Sequence, residues 1–185
     1  MKRTFIAIKI PLSKETLEFI GEIKLQLKDE RIKWVDSWNV HLTLFFLGDT
    51  DENLISEIVD LLADKLKSFK NFNLMCKGVG VFKDMQNLRA FWFGLEENET
   101  LLNLKKIVNQ VLNSFGFETE NKKFKPHLTL GRIKYLNNKR LLSEIIENYK
   151  DQTIQEIAVN EVIIYESKLT PKGPIYSIIE KIYLN

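Results

Sequence analysis

The sequence predicts an α+β fold of two lobes related by an approximate two-fold axis, with mostly antiparallel sheets, helices packed outside and a central cleft. Three observations carry this. Strand-like and helical apolar patterns interleave along the whole chain. The tetrapeptide His-Leu-Thr-Leu stands at 41–44 and again, 86 residues on, at 127–130, each time leading through a short turn into a helical pattern. No Pro/Gly/Ser-rich or low-complexity stretch divides the chain, so the two copies are expected to share one bilobal domain spanning residues 1–185.

Each element has its own signal. Thr4–Lys9 reads as a first strand, closed by Pro11. Ser13 is placed to cap a helix over Lys14–Lys28, because its side-chain oxygen can accept from a free first-turn N–H. Strand patterns follow at Arg31–Val35 and Val40–Leu47. Asp51 then caps a second helix ending near Lys67, with Leu54, Ile58, Leu61 and Leu62 at helical spacing. Phe72–Phe82 and Leu88–Leu95 read as the next strands. A third helix, Glu99–Phe115, carries Leu101, Leu104, Ile107, Val108 and Leu112 on one face and stops at Gly116. His127–Tyr135 is a strand, Lys139–Tyr149 a helix, and Ile154–Glu166 and Ile175–Leu184 close the chain as strands.

Composition narrows the class. Hydrophobic residues make up 44% and charged residues 28%, the balance of a chain that buries a core, and this excludes disorder. The apolar start is broken by Lys9 and Pro11, and no window approaches the length of a membrane span. A cytoplasmic protein without membrane association is therefore expected, and a monomer. Cys76, the one cysteine, cannot form an internal disulfide or complete a zinc site, and is expected in the core rather than as a nucleophile. A net charge of +2 argues against a broad nucleic-acid surface, so any anion site must be local. Lys122, Lys123 and Lys125 around Phe124, just ahead of Pro126-His127, form one such cluster.

Both histidines of the chain lie in the repeated tetrapeptide. At ordinary residue usage a given histidine is followed by Leu-Thr-Leu with a chance on the order of one in a few thousand. In a strand, alternate side chains share a face, so His41 and Thr43 point one way while Leu42 and Leu44 anchor the other. His127 and Thr129 stand in the same relation to Leu128 and Leu130. Were the two strands side by side, one cleft would hold two imidazoles and two hydroxyls. Those groups suit in-line attack at a phosphodiester: one imidazole takes a proton from water and the other gives one to the departing oxygen. The hydroxyls would donate to the non-bridging oxygens as charge builds there. No metal is expected, since neither motif contains a metal-ligand spacing or a carboxylate, and no cofactor is called for.

At these residues the chain resembles the 2H phosphoesterase superfamily, and in particular its RNA 2′,3′-cyclic phosphodiesterases, also called RNA 2′,5′-ligases. The resemblance runs from Arg3-Thr4-Phe5-Ile6-Ala7-Ile8 through Trp34-Val35 and His41-Leu42-Thr43-Leu44-Phe45-Phe46-Leu47-Gly48. It continues through Gly78-Val79-Gly80-Val81-Phe82, Arg89, Trp92 and Phe124-Lys125-Pro126-His127-Leu128-Thr129-Leu130-Gly131-Arg132, to Ser167, Leu169, Gly173, Pro174 and Tyr176. It implies His41 and His127 as catalytic, with Thr43, Thr129 and Arg132 as phosphate ligands. His127 would be the base and His41 the acid that protonates the 3′ oxygen, leaving a 2′-phosphate. The implied partners are RNA ends or nucleotides bearing a 2′,3′-cyclic phosphate. Arg132 lies three residues after Thr129 and should face away from the cleft in a regular strand; a bulge at Gly131 would turn it back. Phe45 stands where many relatives carry lysine, and Lys83 where many carry proline. Phe45, Phe82, Trp92 and Trp38 are candidates for stacking a base. Ligation, with a 5′-hydroxyl in place of water, is the alternative activity, and a non-catalytic RNA- or nucleotide-binding module is the alternative class.

Overall fold

Short polar side chains start the helices. In the computed structural model, which describes residues 1–84, 87–118, 124–171 and 173–185, those at 83–84 and 87–89 by backbone alone, four α-helices each begin at such a cap. The Thr16 N–H donates to Ser13 Oγ at 3.1 Å and opens α1 (Lys14–Gln26). Asp51 Oδ1 accepts from the Asn53 N–H at 2.9 Å ahead of α2 (Glu52–Leu66). Asn98 and Asn138 do the same for α3 (Glu99–Ser114) and α4 (Lys139–Tyr149), accepting from Leu101 at 2.9 Å and Leu141 at 3.0 Å. Each oxygen satisfies an N–H that the helix itself leaves unpaired. Gly116, at φ +82°, follows α3 in the left-handed region that glycine tolerates best.

Among the described residues nine strands form two sheets: β1 (Lys2–Lys9), β2 (Arg31–Trp34), β3 (His41–Thr50), β4 (Phe72–Asp84), β5 (Asn87–Leu95), β6 (His127–Tyr135), β7 (Thr153–Val159), β8 (Glu161–Thr170) and β9 (Gly173–Tyr183). One sheet has the order β3-β1-β8-β9 and the other β2-β6-β5-β4-β7, and every pairing is antiparallel. The single strand expected over Ile154–Glu166 is two, broken at Asn160 and divided between the sheets. Val159 pairs with Phe72 in one sheet and Glu161 with Tyr183 in the other. The run contains neither Pro nor Gly, so nothing in its periodicity marks the change of sheet. Asn160 lends its carbonyl to the Leu184 N–H at 2.8 Å, which ties the break to the last residues of the sequence.

Both sheets turn one face to a common core. Ile6, Ile8, Leu42 and Leu44 from the first, Leu74, Phe91, Phe93 and Leu128 from the second, and Leu62, Leu104, Val108 and Ile145 from the helices belong to one cluster of buried residues. α2 packs on α3 and β9, α3 on β3, and α4 on β4. The four leucines of the repeated motif, Leu42, Leu44, Leu128 and Leu130, are each no more than 3% exposed. Burying a leucine fully is worth about 1.5–3 kcal/mol, so these side chains fix the strands that carry the histidines. Although they belong to different sheets, β3 and β6 touch.

Gly78 shows how tightly β4 is held. Its φ is +74°, its N–H donates to Gln152 O at 2.8 Å, and a Cβ placed on it would meet the Lys150 carbonyl oxygen at 2.3 Å. Gly78→Ala should therefore destabilise the fold by at least the roughly 1–3 kcal/mol of a non-glycine residue held in that backbone region, read as a lowered midpoint in urea unfolding. An unchanged midpoint would show that β4 relaxes freely there.

Candidate active site

The two histidine strands depart from regular geometry at the same place. In the β1–β3 ladder Ala7 is opposite Thr43 and Ile6 opposite Phe45, so Leu44 has no partner. In the β5–β6 ladder Trp92 is opposite Thr129 and Phe91 opposite Gly131, so Leu130 has none. Each motif thus carries a bulge at its second leucine, three residues after the histidine. The extra residue shifts the alternation by one. Leu44 and Phe45 both turn inward, as do Leu130 and Gly131. The residue five after each histidine returns to the imidazole's face: Arg132 in one strand, Phe46 in the other. The bulge expected at Gly131 is present one residue earlier, at Leu130.

His41, Thr43, His127, Thr129 and Arg132 accordingly line a single cleft of about 270 Å³. Its other walls include Phe5, Lys33, Phe46 and Tyr176. Both imidazoles are oriented alike. His41 Nδ1 lies 2.7 Å from the Asn39 carbonyl oxygen, and His127 Nδ1 lies 2.9 Å from that of Lys125. A carbonyl only accepts, so Nδ1 carries the proton in each neutral ring and Nε2 is left free to accept one. Aromatic rings wall each imidazole. Phe5 lies 5.0 Å from His41 and Tyr176 meets it edge-on at 5.3 Å. Phe82 meets His127 edge-on at 4.5 Å and is itself 5.5 Å from Trp92.

Burial disfavours the imidazolium, so both histidines are held below the usual histidine range, partly offset by the backbone carbonyl each one binds. For His41 a charge on His127 adds to the effect. Tyr176 is pushed up by burial, with the Arg132 guanidinium working the other way. Cys76 is buried in the core, its thiol pushed up to about 12, and takes no part in the cleft. Among the described residues no group of three or more His, Cys, Asp and Glu side chains is placed to hold a metal ion. No described helix is long and apolar enough to cross a membrane.

Four stacking candidates separate. Phe82 and Trp92 stand behind His127. Phe45 packs inward, 6.2 Å from Phe117, and Trp38 is 72% exposed, outside the cleft. Lys122 and Lys123 lie outside the described residues, as do the side chains of Lys83 and Arg89. Sequence reasoning passed over Phe46, Lys33, Phe5 and Tyr176 as site residues. For Phe46 a signal existed, since aligning the two motifs on their histidines sets it against Arg132.

The fold and the doubled His-x-Thr motif place the chain in the 2H phosphoesterase class. Within that class it belongs to the 2′-5′ RNA ligase superfamily, whose family model matches residues 12–169. It is 41% identical over 179 residues to the RNA 2′,3′-cyclic phosphodiesterase of Thermotoga maritima, covering 96% of this chain and 92% of that protein. To the RNA 2′,3′-cyclic phosphodiesterase of Methanocaldococcus jannaschii it is 36% identical, covering 97% and 99%. Among solved structures, E. coli LigT complexed with 3′-AMP superposes with a TM-score of 0.76 at 23% identity, covering 100% of this chain and 98% of that one. TT0787 of Thermus thermophilus gives 0.76 at 25%, covering 98% and 97%.

The two imidazoles can be followed by nitrogen-detected NMR of the ligand-free protein. Both should titrate below 6.5, and above that range both should show the tautomer protonated at Nδ1. A midpoint at or above 6.5 for either ring would mean that solvation, not burial, sets its charge.

Proposed function

We propose that the chain is an RNA 2′,3′-cyclic phosphodiesterase that hydrolyses the cyclic phosphate to a 2′-phosphate. The observation that supports this best is the pair of imidazoles in one cleft, each tethered through Nδ1 to the carbonyl two residues before it. The identity to curated phosphodiesterases over most of both chains supports the same reading.

Hydrolysis needs one proton removed and one supplied. Water attacks phosphorus and loses its proton to one neutral Nε2, the bond from phosphorus to the 3′ oxygen breaks, and the other imidazolium protonates that oxygen. The products are a 3′-hydroxyl and a 2′-phosphate. His127 acts as the base and His41 as the acid. In the free cleft burial, and any charge on His127, disfavour a proton on His41, and an anionic phosphate bound beside the ring works the other way. Thr43 and Thr129, two residues from the histidines on the same face, donate to the non-bridging oxygens, and Arg132 reaches the same oxygens through the bulge. The aromatic walls exclude water other than the attacking one and strengthen these interactions.

Because two imidazoles perform both proton transfers, turnover of nucleoside 2′,3′-cyclic phosphates should persist in EDTA and yield the 2′-phosphate alone. Loss of activity in chelator, restored by a divalent ion, or a 3′-phosphate product, would contradict this route.

His41→Ala and His127→Ala should each lower kcat by about 10²–10⁴-fold while remaining folded, since the leucines still anchor both strands. Thr43→Val and Thr129→Val, which keep shape and delete the donor, should each cost about 3 kcal/mol in the transition state. The loss should be equal for the cyclic phosphates of all four nucleosides; a defect confined to purines or to pyrimidines would move the threonines to base recognition.

A further inference from the structure

Lys33 lines the cleft together with Arg132. Lys33 stands directly across from Arg132 in the β2–β6 ladder, so both side chains leave the sheet on the cleft face. Neither forms an ion pair among the described residues. Like charges directly opposite one another on a sheet repel, and an anion near both relieves the repulsion. Arg132 sits on the strand of Thr129 and is within reach of the reacting phosphate. Lys33 is one strand further out, at the rim.

Beyond that rim lies a second cavity, a groove of about 280 Å³ between α1 and the short turn of 3₁₀ helix at Ser37–Asn39. Trp34, Val35 and Asp36 line both the cleft and the groove, so the two are separated only by the end of β2. The groove is lined by apolar side chains and two tryptophans, with Lys24, Asp36 and Ser37 among them. Lys24 Nζ sits 5.5 Å from the Trp34 ring centroid, and Trp38, at the rim, is 72% exposed. Exposed aromatic surface bordering a charged cleft is what a stacking site needs.

A 2′,3′-cyclic phosphate is by its chemistry a 3′ terminus, so RNA bound through it can continue in the 5′ direction only and needs one exit. Leaving the cleft across β2, a chain meets first a cation, then a ridge bearing a carboxylate, then an aromatic groove. We propose that this is a second nucleotide subsite: Lys33 binds the next phosphate on the 5′ side and the Trp38 groove takes the next base. Resting on the phosphodiesterase reading, this makes oligonucleotide 3′ ends, rather than free nucleoside cyclic phosphates, the preferred substrate class.

The test uses the full chain and two product-state ligands with the same 3′ end, adenosine 2′-phosphate and the dinucleotide adenylyl-adenosine 2′-phosphate. Their affinities are measured by calorimetry at two salt concentrations, with turnover of the matching cyclic phosphates measured in parallel. The dinucleotide should bind at least tenfold more tightly. Lys33→Gln and Trp38→Ala should each remove most of that ratio, while Trp38→Phe, which keeps a ring, should retain it. Dinucleotide binding should also fall more steeply with salt than mononucleotide binding, by about one single-strand phosphate contact, and Lys33→Gln should abolish the difference. Equal affinities in the unmodified protein, or a ratio untouched by both Lys33→Gln and Trp38→Ala, would overturn the subsite. If neither cyclic phosphate is turned over while the dinucleotide preference persists, the hydrolase reading fails and the subsite stands.

Discussion

The site depends on a conflict within each histidine strand. Two leucines must point into the core to hold the strand in place, while an imidazole, a hydroxyl and the residue five positions after the imidazole must share the opposite face. A strand with period two meets the first demand and places the first two polar groups, but it sends the fifth residue inward. One unpaired residue at Leu44, and one at Leu130, reconciles the two requirements. Because the bulge falls on a leucine that is itself buried, the core that anchors the strand also holds the irregularity. Both copies use the same solution, and so the cleft is built of two nearly equivalent halves.

Equivalence alone would be a poor catalyst, since an acid and a base have to differ. The halves are made alike where orientation matters and unlike where charge matters. Each ring is fixed by the carbonyl two residues back, so that Nδ1 keeps its proton and Nε2 is left free to accept one. Asymmetry enters five residues later, where one strand carries Arg132 and the other Phe46. It enters also in the walls: His41 is held between Phe5 and Tyr176, with His127 adding its charge, whereas His127 backs onto Phe82 and Trp92.

Much of this was legible in the amino-acid order because it rests on local signals. Ser13 and Asp51 start helices where short polar caps are expected to, and the leucines of the repeated tetrapeptide alternate with the groups they support. What escaped the sequence depends on long-range pairing. The run from Ile154 to Glu166 is continuous in its pattern yet belongs to two sheets, and only the partners Phe72 and Tyr183 decide where it divides. Phe45 and Phe46 are adjacent and alike in sequence, and only the bulge turns one inward and the other into the cleft. Lys33 carried no local signal at all, since its place beside Arg132 comes from β2 joining the far edge of β6.

That last pairing also bears on how a chain of nearly balanced charge attracts an anion. With a net charge of +2, long-range steering is weak, and salt screens beyond about 8–10 Å. Attraction has to be made at short range by cations that no carboxylate neutralises. On the exposed surface the cations described in ion pairs are matched by acidic neighbours, as in Lys2–Glu52, Arg140–Glu144 and Lys181–Glu161. Lys33 and Arg132 form no ion pair among the described residues. Keeping two like charges on facing strands costs stability, a cost that an anion bound near both would offset.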